Sequence, residues 1–409
     1  MPTPYPLRVT AFTATSCLGP GNAAQLARLR AQAGGLAPCR FLDVPLKTWV
    51  GEVAGVDEIA LPATLARYDC RNNRLAEFAL RQDGFDDAVR DAIRRHGPAR
   101  VAVFLGTSTS GMLEMELAYR RRDPDSGALP ADFDYAGSHN TFSLSDYVRR
   151  RFGIDGPAMV ISAACASGAK AFASARRAIQ AGLVDAAVVG GVDSLCLTTL
   201  YGFNSLELLS PDPCRPYDAR RDGISIAEAA AFALLERPDA AGTGGDGAGR
   251  DGEVLRLVGT GESSDAHHMS SPHPEGLGAR LAIERALASA GLSPADVDYI
   301  NLHGTATPSN DLAEDAAVHA VFEGRVPVSS TKAAHGHALG AAGALEAVIA
   351  LLCLREGLMP AGLNRDEPDP ALRSPYLTAN RPAALDVVMS NSFGFGGVNA
   401  SLLFDRIAP

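Results

Sequence analysis

The chain lacks any apolar run long enough to span a bilayer, any C-x-x-C pair, and any phosphate loop of the G-x-x-x-x-G-K-[ST] kind. The first absence argues against a membrane-spanning helix. The segment MPTPYPLRVTAFTATSCLGPG also lacks the basic stretch and hydrophobic run of a secretory leader, so the expected compartment is the cytoplasm. The second absence removes the disulfide and zinc frameworks: seven cysteines, at positions 17, 39, 70, 165, 196, 214 and 353, are odd in number and widely spaced. Excess basic charge is missing too. A formal net charge of −10 leaves no general surplus of Lys and Arg for phosphate neutralisation, which argues against nucleic-acid binding as a main role.

What is present is a large supply of core. With 409 residues and 46% hydrophobic content, the chain can build two domains or two fused halves. The segment RPDAAGTGGDGAGRDGE, residues 237 to 253, has almost nothing that packs, so the division is expected near residue 250, giving segments 1–250 and 251–409. Each half alternates short continuous apolar runs (ARVAVFLGTS, AMVISAAC, AAVVGGVDS; then VDYINLHGT, VPVSSTK, LDVVMSNSFGFGG) with Ala-rich helical stretches. That alternation predicts an α/β layered fold with a parallel-rich sheet covered on both faces.

Three of the runs end in residues with chemistry: Ala164-Cys165, His303-Gly304-Thr305 and Asn391-Ser392-Phe393-Gly394. Ligands of α/β sheets bind at the carboxyl ends of strands, so the three are expected to converge. Cys165 stands where a strand gives way to a helix of small residues. A helix N-terminus favours a thiolate there, although a buried free cysteine taken alone also reads as a small hydrophobe. NLHGTATPSND carries His303, and SSTKAAHGHALGAAGALEAV carries Lys332, His335 and His337. A metal held by His303, His335 and His337 is conceivable through H-x-H, but no carboxylate or thiol cluster with ligand spacing accompanies it in the sequence.

Taken together, SAACASGA, GFNSLELLSPDPCRPYDARRDG, SSDAHHMSSP, HGTATPSND, STKAAHGH and NSFGFGG resemble the elongating β-ketoacyl-acyl-carrier-protein synthases of the thiolase-like superfamily, over nearly the whole chain. The resemblance implies two similar βαβαβαββ halves in an α-β-α-β-α five-layer arrangement, usually as a homodimer. It also implies a Cys165-His303-His337 site with Lys332 orienting it electrostatically. Initiating relatives carry Cys-His-Asn and thiolases a second cysteine, so the elongating branch fits better. Chain-length factors keep the fold but lose the nucleophile, and the alternative of a mainly structural partner subunit is weighed against the retained Cys165.

By that resemblance Cys165 holds an acyl group, and the backbone N–H groups of Cys165 and Phe395 receive the oxyanion, with Phe395 and Phe393 in the gate segment. His303 and His337 stabilise the enolate left by decarboxylation of a malonyl thioester, with no metal or cofactor. The substrates ride on the phosphopantetheine of an acyl carrier protein. Thr305, Thr307 and Ser270 are expected along the pantetheine tunnel, or else as turn caps. Thr109 is expected at the acyl pocket, with Tyr135 approaching it across the dimer interface, and Glu346 is either the buried partner of Lys332 or a solvated helix residue. His335 is a departure, standing where relatives carry a small polar residue. Arg67, Arg71 and Arg74 recur at helical spacing, extended by Arg215, Arg220 and Arg221; they read as a carrier-docking patch or as a solvated charge face. The partner is a second copy or a chain-length-factor-like subunit, and the pathway is fatty-acid, aryl-polyene or polyketide-type elongation.

Overall fold

The computed structural model describes residues 5–238 and 253–407. The division expected near residue 250 lies outside them. The first half supplies strands β1 (Leu7–Ser16), β2 (Val101–Gly106), β3 (Ala158–Ile161), β4 (Ala186–Asp193) and β5 (Ala229–Glu236). The second supplies β6 (Val254–Ser264), β7 (Tyr299–Asn301), β8 (Val328–Ser329), β9 (Val387–Gly394) and β10 (Val398–Ile407). They form one sheet in the order β8-β7-β9-β10-β6-β1-β5-β4-β2-β3, with a two-residue strand, Gly19–Pro20, paired to β1. Read from the middle outwards, the two halves repeat each other, and they join where Leu7 pairs with Leu257 and Arg8 with Arg256.

The expected parallel-rich sheet is in fact mixed. Pairing is parallel at both flanks, where helices connect the strands, and antiparallel through the middle. For one of these pairs the reason is local: β9 turns back directly into β10 through Phe395–Gly397, a connection too short for a parallel crossover.

Helices make the remaining layers. Along the chain, α1 (Arg71–Leu80), α2 (Phe85–His96) and α3 (Ser143–Phe152) cover one outer face. The helix α4 (Ser167–Gln180) enters the centre, and α5 (Leu197–Ser205) follows near the site. In the second half, α6 (Leu277–Ala290) and α7 (Pro308–Phe322) cover the other outer face, the short α8 (Lys332–His335) follows β8, and α9 (Ala342–Glu356) returns to the centre. From Ala342 to Leu354 every residue of α9 is buried, as expected of a helix with no polar face. Among the described residues no helix is long and apolar enough to cross a membrane.

The centre is held by backbone proximity rather than large side chains. A Cβ on Gly168 of α4 would lie 2.6 Å from the Ala344 nitrogen of α9, and one on Gly343 would lie 2.7 Å from the Ala169 nitrogen. Only glycine permits that approach at the two helix starts. In an ordinary helix interior, Gly→Ala stabilises by about 0.5–1 kcal/mol. Gly343→Ala is expected to do the reverse here and cost about 1–3 kcal/mol, because the added methyl overpacks against backbone. Denaturant unfolding at equilibrium measures the sign.

Candidate active site

Cys165 sits at the elbow between β3 and α4. Ala164 is held at φ +48°, and Ser167 Oγ staples the turn by donating to the Ala164 carbonyl at 2.6 Å while accepting from Ala163 N at 2.8 Å. The end of β9 is laid against this elbow. A Cβ at Gly394 would come within 3.1 Å of Cys165 N, so a side chain there would push the NSFGFGG strand away from the thiol.

The second half brings the imidazoles. His303 follows β7, and His337 follows α8, its own backbone N–H donating to the Ser225 carbonyl at 2.7 Å. His337 Nε2 lies 3.1 Å from Cys165 Sγ, and the two imidazole rings meet edge to face with centroids 5.4 Å apart. All three side chains are buried.

Behind the rings lies a fully buried ammonium. Lys332 Nζ pairs with Glu346, donates to the His303 carbonyl at 2.5 Å and lies 3.3 Å from His303 Nδ1. Neither Lys332 nor Glu346 has measurable exposure, which settles Glu346 as the lysine's partner rather than a solvated residue. Because an ammonium only donates, His303 Nδ1 accepts; His337 Nδ1 likewise accepts from the Leu339 N–H at 3.3 Å. Both neutral rings therefore carry their proton on Nε2. The site contains two aimed donors.

Electrostatics support that state. Burial, then the Lys332 ammonium, hold His303 and His337 well below the ordinary histidine value of 6.5. The Cys165 thiol is not the ready thiolate expected from its helix start. Burial pushes it up to about 11, although the Lys332 ammonium and the Phe395 N–H pull it down. Burial likewise lifts Glu346 to about 7 against the pull of Lys332.

A cavity of about 610 Å³, its mouth included, ends on this group. Cys165, His303, His337, Phe393 and Phe395 line it, with Thr305, Thr307 and Ser270 further along the wall. The two threonine hydroxyls lie 3.0 Å apart, and Ser270 lies beside His268. Phe395 packs on Phe203 with ring centroids 5.6 Å apart, and Phe393 meets the edge of His303 at 6.0 Å.

The structure revises several expectations. The donor cluster is Cys165, His303 and His337, with ligand atoms within 4.8 Å of one another, so a thiol does accompany two histidines. His335 is no part of it: the ring is fixed by Thr331 Oγ1 at 3.0 Å and by the Gly336 carbonyl at 2.7 Å, and burial drives its pKa down to about 3. Thr109 is absent from the cavity wall, because it is buried with its hydroxyl donating to Asp193 at 2.8 Å. Tyr135, expected to approach across a dimer interface, is 59% exposed on the surface of this chain.

The arginine patch does not exist as a free basic face. Arg71 is buried and paired with Glu228, Asp57 and Glu52; Arg67 pairs with Asp134, and Arg74 with Asp69. Arg221 is buried against Asp369, Arg220 pairs with Asp366, and Arg215 with Asp212. Helical spacing said nothing of the carboxylates that other segments bring to these side chains.

One residue escaped sequence reasoning altogether. Glu314 on α7 accepts from His303 N at 2.8 Å and from Gly304 N at 2.7 Å, fixing the loop that carries the imidazole. Burial raises its carboxyl to about 8. An acid on the buried face of the helix that opens at Pro308, within HGTATPSND, is the available signal. The apolar wall of the cavity, Phe203, Leu208 and Ile224, was also unassigned.

Layered α/β halves that share one thiol, two Nε2–H imidazoles and a buried lysine define a class of protein built for thioester chemistry. The family descriptions that match are "Beta-ketoacyl synthase, N-terminal domain" over residues 74–241 and "Beta-ketoacyl synthase, C-terminal domain" over residues 255–366. Nodulation protein E of Rhizobium meliloti is 32% identical over 87% of this chain and 84% of its own length. A mitochondrial 3-oxoacyl-[acyl-carrier-protein] synthase of Arabidopsis thaliana is 40% identical over 64% of this chain, a match that spans 59% of that protein. The ketosynthase ApeO of Xenorhabdus doucetiae, solved in complex with its chain length factor ApeC, superposes with TM-score 0.87 at 38% identity, covering 100% of this chain and 99% of that one. The chain belongs to the β-ketoacyl synthase family.

The two site imidazoles are expected to remain neutral as the pH falls through the ordinary histidine value of 6.5, their ring signals unmoved there in NMR spectra of histidine-labelled protein. Replacing Lys332 by Met removes the second-largest cause of the shift. The acid titration should then move up towards 6.5 without reaching it, because burial remains.

Proposed function

We propose that the protein is a β-ketoacyl-acyl-carrier-protein synthase that condenses an acyl group held on Cys165 with a malonyl thioester, releasing CO₂. The observation that carries this reading is the meeting of Cys165 Sγ with the His337 and His303 pair at the closed end of one cavity. In the first half-reaction Cys165 sulfur bonds to the acyl carbonyl carbon, the carrier's C–S bond breaks, and the carrier thiol leaves with the proton. The N–H groups of Cys165 and Phe395, both close enough to act on the sulfur, receive the oxyanion.

In the second, the malonyl C–C bond breaks and its electron pair passes into the thioester carbonyl. His303 and His337 donate from Nε2 to that enolate oxygen, a task for which a neutral ring suffices. The carbanion then attacks the acyl carbonyl, and collapse of the tetrahedral intermediate releases Cys165 and the 3-oxoacyl carrier. No step draws on a metal or a cofactor. Thr305, Thr307 and Ser270 contact the pantetheine arm along the cavity wall.

The likeness over the full chain to a ketosynthase solved with its chain length factor supports a chain-elongating role beside a second subunit, in a fatty-acid, polyketide or aryl-polyene type of pathway. The free edge at β3, where Met159 is 55% exposed, and the exposed Tyr135 are the surfaces such a subunit would meet. The retained thiol favours catalysis over a purely structural role. The acyl carrier protein is the proposed partner, and the cytoplasm the proposed compartment.

The two half-reactions separate under mutation. Cys165→Gln should lose acyl loading and condensation yet keep CO₂ release from malonyl-carrier protein. His303→Ala and His337→Ala should still take up acyl groups while losing on the order of 10²-fold in CO₂ release. Labelled CO₂ and intact-mass detection of the acyl-enzyme read both. Acylation that persists in Cys165→Gln would exclude that thiol as the nucleophile.

A further inference from the structure

Asp193 ends β4 with no measurable exposure, and among the described residues no cation pairs with it. Its carboxylate is instead held by five dipoles. Oδ1 accepts from Thr107 Oγ1 at 2.7 Å and from Ser108 N, Thr109 N and Thr109 Oγ1, each at 2.8 Å. Oδ2 accepts from Gly340 N at 2.5 Å. A buried charge left unpaired is costly, so this cage is a strong constraint on whatever it grips.

What it grips comes from both halves of the site. Residues 107–109 belong to the loop after β2, whose Ser108 Oγ reaches the Ala164 carbonyl at the Cys165 elbow at 3.5 Å. Gly340 belongs to the turn after His337. The residue before it, Leu339, is held at φ +50°, a left-handed conformation that a leucine adopts only when its surroundings impose it. The turn directs the Leu339 N–H, through the preceding peptide, at His337 Nδ1, 3.3 Å away, while the left-handed Leu339 carries the chain on to put Gly340 N against Asp193. The approach is tight: a Cβ on Gly340 would lie 2.8 Å from Asp193 Oδ2 and 2.7 Å from Ser108 Oγ.

We propose that Asp193 is a positioning residue that, through Gly340 and Leu339, fixes His337 in its Nε2–H tautomer and so keeps a donor aimed at the reacting thioester. The carboxylate touches no reacting atom. Its Oδ2 arm governs the imidazole, and its Oδ1 arm governs the 107–109 loop. Losing the first releases Gly340 and with it the turn that carries the Leu339 N–H, the one backbone donor to His337 Nδ1 among the described residues.

The inference rests on the proposed role of the histidine pair, and its test keeps the two apart. In ¹⁵N-histidine-labelled protein at pH 7, wild-type His337 should show an unprotonated Nδ1, and finding the proton on Nδ1 overturns the proposal whatever the enzyme does. Asp193→Asn keeps the shape but presents at least one N–H to a backbone donor. It should mix the two tautomers and lower malonyl-carrier decarboxylation on the order of 10²-fold, with KM within about twofold. Thr107→Val with Thr109→Val removes the hydroxyl donors to Oδ1, and the acceptors they offer Ser110 N and Ser194 N, but spares the Oδ2–Gly340 bond and should leave the tautomer intact. If Asp193→Asn is folded by circular dichroism yet retains a pure Nε2–H ring, or decarboxylates within twofold of wild type, Asp193 is structural only. If Asp193→Asn does not fold, Gly340→Ala, which disturbs the same hydrogen bond, carries the same expectation and the same failure criterion. Wild-type protein that shows the Nε2–H tautomer but releases no CO₂ would leave the positioning intact and sink the proposed function instead.

Discussion

The close crossing of the two central helix starts is the constraint on which the site depends. Gly168 and Gly343 let α4 and α9 touch backbone to backbone, so the elbow preceding one helix and the loop preceding the other arrive side by side. Cys165 comes from the first, and Lys332 and His337 from the second. No single half contains a competent centre. The interaction is van der Waals contact between small residues, gained by leaving side chains out.

On that frame the charges are arranged with care. A buried lysine and glutamate pair gains little over an apolar pair in stability, yet removing one partner typically costs about 3–5 kcal/mol. Here the Lys332–Glu346 pair has a second effect: beside burial, the larger cause, the ammonium helps keep both imidazoles neutral, and it directs the tautomer of His303. The same burial that disfavours imidazolium also disfavours thiolate. The resting thiol must therefore gain its nucleophilicity when substrate arrives, with the Phe395 N–H and Lys332 already placed to favour the anion.

Much of this was legible beforehand, and the pattern of success is physical. Cys165, His303, His337 and Lys332 stand next to strand ends or helix starts in local motifs, and the sheet brings strand ends together. The α/β layering could be read from alternating apolar runs. What could not be read were properties set by distant carboxylates: Arg71 pairs with Glu228, 157 positions away, and Thr109 is held by Asp193. Periodicity sees one element at a time. Likewise the apolar runs could not show the antiparallel middle of the sheet, where β9 returns into β10 through a three-residue connection.

The place of β1 has a consequence for synthesis. Its neighbours in the sheet are β5 and β6, with Arg8 opposite Glu236 on one side and Arg256 on the other. A chain emerging from the ribosome must be made as far as β5, Ala229–Glu236, before β1 meets the first of these partners. Until then β1 presents two open edges, the condition that invites mispairing with other nascent chains. Non-local closure of this kind also places the fold among the slow ones, since the entropy of a long loop is lost before the sheet returns any bonding.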